Sequence, residues 1–169
     1  MSNQSFPLQR GNKLLLLRSI VLVVSLSVGI TILIIDHEIL KKKLVRVFTD
    51  ADVLNLLYQI IDSFEVTPGK GLPMGNQTSQ WFAIYYLDGF DRQIKEKLRI
   101  KYYSRYMDDC VLIHPDKQYL KECLVCMREY VQKELQLNFN EKTQVFPLRS
   151  GVDYLGWHIY LSDTGKGYT

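Results

Sequence analysis

The first apolar run of the chain extends from Leu14 to Ile35, and no charged residue occurs in it after Arg18. This uncharged stretch is slightly shorter than the roughly 20 residues that a membrane-spanning helix needs. Many of its residues are β-branched, and such residues favour strands. We therefore predict one or two buried strands with a bend near Gly29. A short membrane anchor is the less favoured alternative.

From Asp36 onward the apolar positions recur at helical spacing. Asp36 predicts the N-cap of a helix that runs through Arg46, and Asp50 predicts the cap of a second helix. Glycines and prolines between positions 68 and 75 then interrupt regular structure. A third helix is predicted to open at Thr78 or Ser79, with an apolar face made of Ile84, Leu87, Ile94 and Leu98.

The second half of the chain predicts a hairpin followed by a long helix. Residues 101–106 and 110–113 have strand character on either side of Met107-Asp108-Asp109. Pro115 fits the first turn of a fourth helix. Residues 137–139, 144–146 and 154–161 then predict closing strands, so the fold class is α+β, with an antiparallel sheet backed by helices.

Composition and charge narrow the function classes. The chain has 169 residues, of which 47% are hydrophobic and 23% charged, which indicates one folded domain and excludes general disorder. A net charge of +3 permits nucleic-acid binding. The stretch from Arg92 to Arg105 combines basic residues with tyrosines, which suits a polyanion, although the charges alone favour a solvated helix face. Three cysteines without a disulfide pattern indicate a cytoplasmic protein.

Three short motifs carry chemistry. Gly71 to Gln80 is a glycine-proline loop that leads into a helix, so its backbone can approach a ligand closely. Tyr106 to Asp109 places two carboxylates in a tight turn, which is the oxygen-rich environment that Mg²⁺ prefers. Gly151 to Trp157 contains Tyr-Leu-Gly and follows Lys142-Thr143. Each motif alone has an ordinary structural explanation in turns or core packing.

The order of these motifs resembles that of reverse transcriptases, which copy RNA into DNA. The resemblance covers the chain from about Asp50 to Thr169 and is strongest to the bacterial enzymes of retrons, group II introns and diversity-generating retroelements. Met74 and the pair Ser79-Gln80 are most similar to the diversity-generating branch. The resemblance implies a palm-like domain over residues 36–169, with the fingers truncated and the thumb absent, preceded by an apolar segment of uncertain nature at residues 1–35.

The resemblance also implies the reactants and the residues that bind them. Asp108 and Asp109 would bind two Mg²⁺ or Mn²⁺ ions, and Lys142 would give a proton to pyrophosphate. RNA template, DNA primer and deoxynucleotides would be the partners, together with a retroelement RNA or an accessory protein. The residues implied to contact these substrates are Pro73, Gly75, Ser79, Tyr106, Met107, Tyr154, Leu155 and Gly156.

The chain departs from the family pattern at the third metal-binding carboxylate. The expected aspartate precedes Asp36, but Ser27 to Ile35 contains no acidic residue and Ser27 occupies the approximate place. We therefore expect the chain alone to be weak or inactive as a polymerase, being a remnant, a fragment or one part of a larger assembly. A nucleic-acid-binding remnant without catalysis and a membrane-anchored fragment are the two alternatives.

Overall fold

The computed structural model describes residues 20–25, 31–161 and 167–168, with side chains described from residue 32 to residue 160. The helices are α1 Thr31–Ile34, α2 His37–Leu44, α3 Ala51–Asp62, α4 Gln77–Tyr86, α5 Asp88–Arg92 and α6 Lys117–Leu135, with a π-helical turn at Gln93–Lys97 and a 3₁₀ turn at Leu148–Ser150. The strands are β1 Ile20–Ser25, β2 Tyr102–Tyr106, β3 Asp109–His114, β4 Gln144–Pro147, β5 Val152–Tyr154, β6 Trp157–Leu161 and β7 Gly167–Tyr168.

Two antiparallel sheets organise the described strands. The four-stranded sheet has the order β2-β3-β1-β4, and the three-stranded sheet has the order β5-β6-β7. In the larger sheet β1 is hydrogen-bonded to β3 on one side and to β4 on the other. Its register aligns Ser25 with Asp109, at the edge where the β2–β3 hairpin turns. Mixed helices and antiparallel sheets confirm the α+β class.

Alternation along β3 divides the apolar residues between two clusters. Cys110 and Leu112 point into the main core, where the helices pack on the four-stranded sheet. Val111 points to the opposite side and packs with Leu148 and Val152 in a smaller cluster beneath the second sheet. Because side chains of a strand alternate between faces, Asp109 belongs to the same side as Val111. The acidic turn therefore opens toward the second sheet, away from the helices.

Side-chain caps fix where several helices begin. Asp36 accepts a hydrogen bond from the backbone N–H of Ile39 at 3.0 Å, and Asp50 accepts two from the first turn of α3. Both predicted caps are thereby confirmed. The start predicted at Thr78 or Ser79 is wrong by one or two residues, because the side chain of Asn76 caps α4 instead. Pro115 likewise precedes the cap of α6, which is Asp116.

The single helix predicted after the glycine loop is broken at Leu87. In a continuous helix the Phe90 N–H would donate to the Tyr86 carbonyl. Here Phe90 donates to the Leu87 carbonyl at 2.9 Å, while the Tyr86 carbonyl accepts from Lys43 Nζ at 2.6 Å. Of the predicted apolar face, Leu87 and Ile94 are buried, whereas Ile84 is exposed.

Two predicted closing strands are also wrong in detail. Residues 137–139 do not form a strand, although Leu137 is buried in the main core. Residues 154–161 are not one strand, because Leu155 and Gly156 form a turn with φ of 55° and 77° that folds β6 back on β5. Positive φ at both loop residues is the geometry that the right-handed twist of a two-residue hairpin requires.

The apolar N-terminal segment is described only in part. Residues 20–25 form a strand, as the favoured interpretation of that segment predicts, whereas Ser27 and Gly29 lie outside the described residues. A second strand after Gly29 is wrong, because Thr31–Ile34 forms the short helix α1. Among the described residues, none of the helices combines the length and the apolar character that a bilayer crossing requires. The boundary at residue 35 stays a prediction, and β1 belongs to the same sheet as the acidic hairpin.

Candidate active site

The acidic turn is the tight end of the β2–β3 hairpin. Tyr106 pairs with Asp109, which leaves Met107 and Asp108 as the two loop residues. Met107 has a φ of 50°, a region that costs energy for a residue with a Cβ atom. Tyr106 is 58% exposed and Asp109 is exposed at the first position of β3. The hairpin therefore presents an aromatic ring and a carboxylate on either side of a strained turn.

Behind the turn, Arg105 is held by three charged or polar contacts. Its Nε and Nη2 atoms donate to the two carboxylate oxygens of Asp91 at 2.7 and 2.6 Å. Its Nη1 atom donates to the carbonyl of Met107 at 2.6 Å. The hydroxyl of Tyr103 also donates to Asp91, at 2.5 Å. Arg105 is only 10% exposed, so this residue and Tyr103 are structural members of the basic stretch from Arg92 to Arg105.

The two aspartates of the turn have different surroundings. Asp108 is half-buried, and burial raises the pKa of its carboxyl above the ordinary value. The adjacent negative charge of Asp109 raises that pKa further, while the cation of Arg105 opposes the shift. A backbone hydrogen bond also favours the ionised form of Asp108, but desolvation and the like charge of Asp109 outweigh it, so the net shift of the pKa is upward.

A cleft of about 790 Å³ lies between the acidic turn and the second sheet. It brings together residues that are far apart in the sequence, since Asp109, Lys142 and the Tyr154–Gly156 turn all line it. A carboxylate and an ammonium group facing one cleft can accommodate a metal ion and a phosphorylated ligand together. The other lining residues are Asn140, Gln144, Phe146, Ser150, Gly151, Asp153 and His158.

Local hydrogen bonds position both sides of the cleft. Asn140 accepts a bond from the Lys142 backbone N–H at 2.9 Å, which forms the turn that carries the lysine. The hydroxyls of Tyr154 and Ser104 lie 3.1 Å apart, which joins the second sheet to the acidic hairpin. The β5–β6 turn is thereby held beside the hairpin by a polar contact as well as by the smaller apolar cluster.

The remaining predicted site residues do not line this cleft. Tyr106, Met107 and Asp108 belong to the turn but do not line the cleft. Pro73, Gly75 and Ser79 of the glycine loop do not line it either. Ser79 has 0% exposure, and its Oγ has no hydrogen-bond partner among the described residues. Gly75 has a φ of 78° with open space around it, as an exposed turn requires. Their substrate contacts stay predictions.

Sequence reasoning missed the pair formed by His158 and Asp153. These residues are register partners in β5 and β6, and His158 Nδ1 lies 2.7 Å from Asp153 Oδ1. The ring of His158 covers Gly151 so closely that a Cβ atom there would run into Nε2. Gly151 is thus required because the ring of His158 packs against it. The sequence did not show this contact, because it depends on the register between β5 and β6.

The carboxylates of the turn offer part of a metal site. Among the described residues, no cluster of three or more His, Cys, Asp or Glu side chains could hold a metal ion. Mg²⁺ takes oxygen ligands and usually keeps waters and substrate phosphates alongside one or two carboxylates. Asp108 and Asp109 therefore fit one such ion in the presence of a triphosphate, and fall short of the three carboxylates that the resemblance implies.

Comparison with known proteins identifies the family. The family model described as "Reverse transcriptase (RNA-dependent DNA polymerase)" matches residues 33–159, which is more than half of the chain. The chain therefore belongs to the reverse transcriptase family. It is also 30% identical over 90 residues to the Gag-Pro-Pol polyprotein of mouse mammary tumor virus (strain BR6). That match covers 53% of this chain and only 5% of the polyprotein, so the chain corresponds to a small part of that relative.

Proposed function

We propose that this chain provides the catalytic turn and the primer-holding hairpin of an RNA-directed DNA polymerase. The observation that carries the proposal is the cleft shared by Asp109, Lys142 and the Tyr154–Gly156 turn. Family membership supplies the reaction, which is transfer of a deoxynucleotide to a DNA primer on an RNA template. Asp109, Lys142 and the Tyr154–Gly156 turn are distant in the sequence, so their lining of one cleft is information that the order of the motifs does not contain.

In this proposal the residues of the turn act on the reacting oxygens. Asp108 and Asp109 would hold Mg²⁺ or Mn²⁺, which when bound supplies positive charge that favours attack by the primer 3′-hydroxyl and departure of pyrophosphate. Tyr106 and Met107 would lie beside the primer end and the nucleotide. Asp108, whose ionised form is disfavoured in the folded chain, would gain most from a nearby cation.

The opposite wall of the cleft would bind the remaining charges and the primer. Lys142 is exposed, so its ammonium group could neutralise the triphosphate and give a proton to pyrophosphate. The exposed Leu155 and the adjacent Gly156 would contact the primer backbone, with Tyr154 anchored through Ser104. Pro73, Gly75 and Ser79 would shape the template side through the loop that precedes α4.

Primer extension by the full chain tests the proposal. A DNA primer on an RNA template is supplied with deoxynucleotides and either Mg²⁺ or Mn²⁺, and product is measured for wild type and for Asp109→Asn. We expect weak extension by the wild type, because two carboxylates hold the metal poorly, and a further loss of about 100-fold or more in the variant. Asp52→Asn, an exposed change on α3, is the matched control and should leave extension unchanged.

Two results would contradict parts of this proposal. Full extension by Asp109→Asn would remove the metal role of the turn. Robust Mg²⁺-dependent extension by the wild type would instead show that the missing third carboxylate is not needed or that another group replaces it.

A second candidate function follows from the incomplete set of carboxylates. A chain that binds primer–template duplex without copying it would need only basic and aromatic surface, and Lys97, Arg99 and Lys101 are exposed. Such binding would weaken steeply with salt and survive Asp109→Asn. Duplex binding that is absent at low salt would exclude this candidate.

The type of retroelement is also a proposal. Met74 and the pair Ser79-Gln80 support a bacterial, diversity-generating element, with its RNA or an accessory protein as further partners. The relative found by comparison is a retroviral polyprotein. A cytoplasmic location and the membrane-anchored alternative are likewise predictions, which fractionation of cells that express the chain would decide.

A further inference from the structure

Asp91 and Arg105 form a partly buried ion pair outside the cleft. Arg105 donates to both carboxylate oxygens of Asp91, which is the bidentate geometry that binds a guanidinium most strongly. The hydroxyl of Tyr103 donates to the same carboxylate. Burial raises the pKa of the Tyr103 hydroxyl well above its ordinary value, so that group remains a donor over the whole physiological range. Asp91 is therefore oriented by three donor atoms.

The third bond of Arg105 leads to the acidic turn. Its Nη1 atom donates to the Met107 carbonyl at 2.6 Å, and Met107 has the unfavourable φ of 50°. The peptide that follows this carbonyl joins Met107 to Asp108, so the bond fixes the plane from which the first carboxylate extends. A strained loop residue persists only where its surroundings determine its conformation, and here the hairpin pairing of Tyr106 with Asp109 and the bond from Arg105 act together.

The strand pattern explains why the contacts meet behind the turn. Tyr103 and Arg105 are two residues apart on β2 and therefore share the face that packs against α5, where Asp91 lies. Ser104, on the opposite face, contacts Tyr154 of the second sheet. The face of β2 that carries Tyr103 and Arg105 thus contacts Asp91 of α5. The opposite face, with Ser104, contacts the second sheet.

We propose that Asp91 and Arg105 are positioning residues that hold the Met107–Asp108 peptide, and through it the Asp108 carboxylate, in the orientation that binds a divalent cation. This inference rests on the proposed function for its biological meaning. Its physical content is narrower, since it concerns the conformation of the turn and the affinity of the turn for a cation. The pair touches neither the cleft nor a substrate, so neither residue is a catalytic residue.

The sign of the effect separates positioning from simple charge. The cation of Arg105 acts on the carboxylate of Asp108, which would bind the metal. Removing that positive charge alone should therefore tighten the binding of Mn²⁺. Loss of positioning should instead weaken that binding, by about tenfold or more, as for other groups that orient metal ligands. The double variant Arg105→Met/Asp91→Leu removes both charges at once and leaves no unpaired buried ion, so it should fold and should report positioning alone.

The experiment uses the ¹⁵N-labelled full chain titrated with MnCl₂. Paramagnetic broadening of the amide signals of residues 106–110 gives the dissociation constant for the turn. Wild type, Arg105→Met, Arg105→Lys and the double variant are compared with Arg92→Met, which breaks an exposed ion pair to Asp88 on the same helix. We expect Arg105→Met and the double variant to bind Mn²⁺ about tenfold or more weakly, Arg105→Lys to recover part of the loss, and Arg92→Met to match wild type.

Hydrogen exchange of the Met107 and Asp108 amides, measured on the same samples without metal, gives a second readout. We expect faster exchange in the double variant, because the turn has lost its only bond from Arg105. Unchanged exchange, or tighter Mn²⁺ binding in Arg105→Met, would overturn the inference. Failure of the wild type to bind Mn²⁺ at the turn would contradict the proposed function instead, while the exchange rates would still decide the role of the pair.

Discussion

At the scale of single residues, the acidic turn combines features that reduce stability. Met107 has a positive φ, and Asp108 is half-buried next to a second carboxylate. Such features are characteristic of functional sites, where orientation of charged groups matters more than the stability of the fold. The turn combines an unfavourable φ with two adjacent carboxylates. Behind it, Arg105 donates a hydrogen bond to each carboxylate oxygen of Asp91.

Replacing Asp108 with asparagine should therefore stabilise the folded chain. The pKa of Asp108 is raised by burial and by Asp109, so the folded state disfavours its ionised form. The cost is present above the folded-state pKa and disappears below the unfolded-state pKa, which is about 3.9. We expect Asp108→Asn to raise Tm by at most about 3 °C at pH 7 and to have no effect near pH 3.

Thermal unfolding followed by circular dichroism across that pH range measures the effect. Glu129→Gln removes an exposed charge from the middle of α6 and serves as the control, with little change expected at either pH. A lower Tm for Asp108→Asn at pH 7 would mean that the ionised carboxylate is stabilised in the fold by contacts other than those described.

At the scale of elements, the sequence predicted correctly those features that depend on side chains only a few residues apart. The caps at Asp36 and Asp50 and the hairpin around Met107 follow from side-chain preferences within a few residues. The apolar spacing of α6 predicts a buried stripe of seven residues. Five of them are buried, namely Leu120, Cys123, Met127, Val131 and Leu135, whereas Leu124 and Tyr130 are half-buried.

Contacts between distant residues explain the elements that sequence reasoning placed wrongly. The break at Leu87 depends on Lys43, which takes the carbonyl of Tyr86 from more than 40 residues away. The β5–β6 hairpin depends on Leu155 adopting a backbone conformation that Leu rarely occupies. The cleft depends on how the two sheets lie together, which no spacing within a single motif encodes. The three chemical motifs were therefore predictable, but the subset of them that lines one cleft was not.

The β5–β6 turn offers a second prediction about stability. Leu155 has a φ of 55°, a left-handed conformation that is unfavourable for leucine. Its side chain is 52% exposed, so burial offsets little of that conformational free energy. Asparagine tolerates that conformation and precedes glycine in the preferred two-residue hairpin turn. Leu155→Asn should increase the free energy of unfolding by about 0.5 to 1 kcal/mol, as measured by urea denaturation.

Leu56→Asn is the matched control for this change. Leu56 is 58% exposed, but it lies in the interior of α3, where asparagine is a poorer helix former than leucine. That variant should lose a few tenths of a kcal/mol. If Leu155→Asn were destabilised as much as the control, the side chain of Leu155 would have to make stabilising contacts that outweigh its backbone strain.

At the scale of the whole molecule, β1 connects the apolar N-terminal segment to the acidic hairpin. It lies between β3 and β4, and its register aligns Ser25 with Asp109. Polymerases with two metal ions are expected to use a third carboxylate from a strand of this kind, and here the aligned position is a serine. The fold therefore supplies the strand next to the turn but not the acidic residue, which is consistent with weak catalysis by a chain of this family.

Ser25→Asp should accordingly strengthen the metal site. The substitution brings a third carboxylate to the strand paired with Asp109, and affinity for divalent cations rises with the number of charged oxygen ligands. We expect Mn²⁺ to bind about tenfold more tightly and primer extension on an RNA template to increase in parallel. Asn55→Asp is the control, because it adds the same charge to an exposed position of α3, away from the turn. Equal gains in Mn²⁺ affinity from both variants would show that net charge alone is responsible, and tighter metal binding without more extension would show that the missing carboxylate is not what limits catalysis.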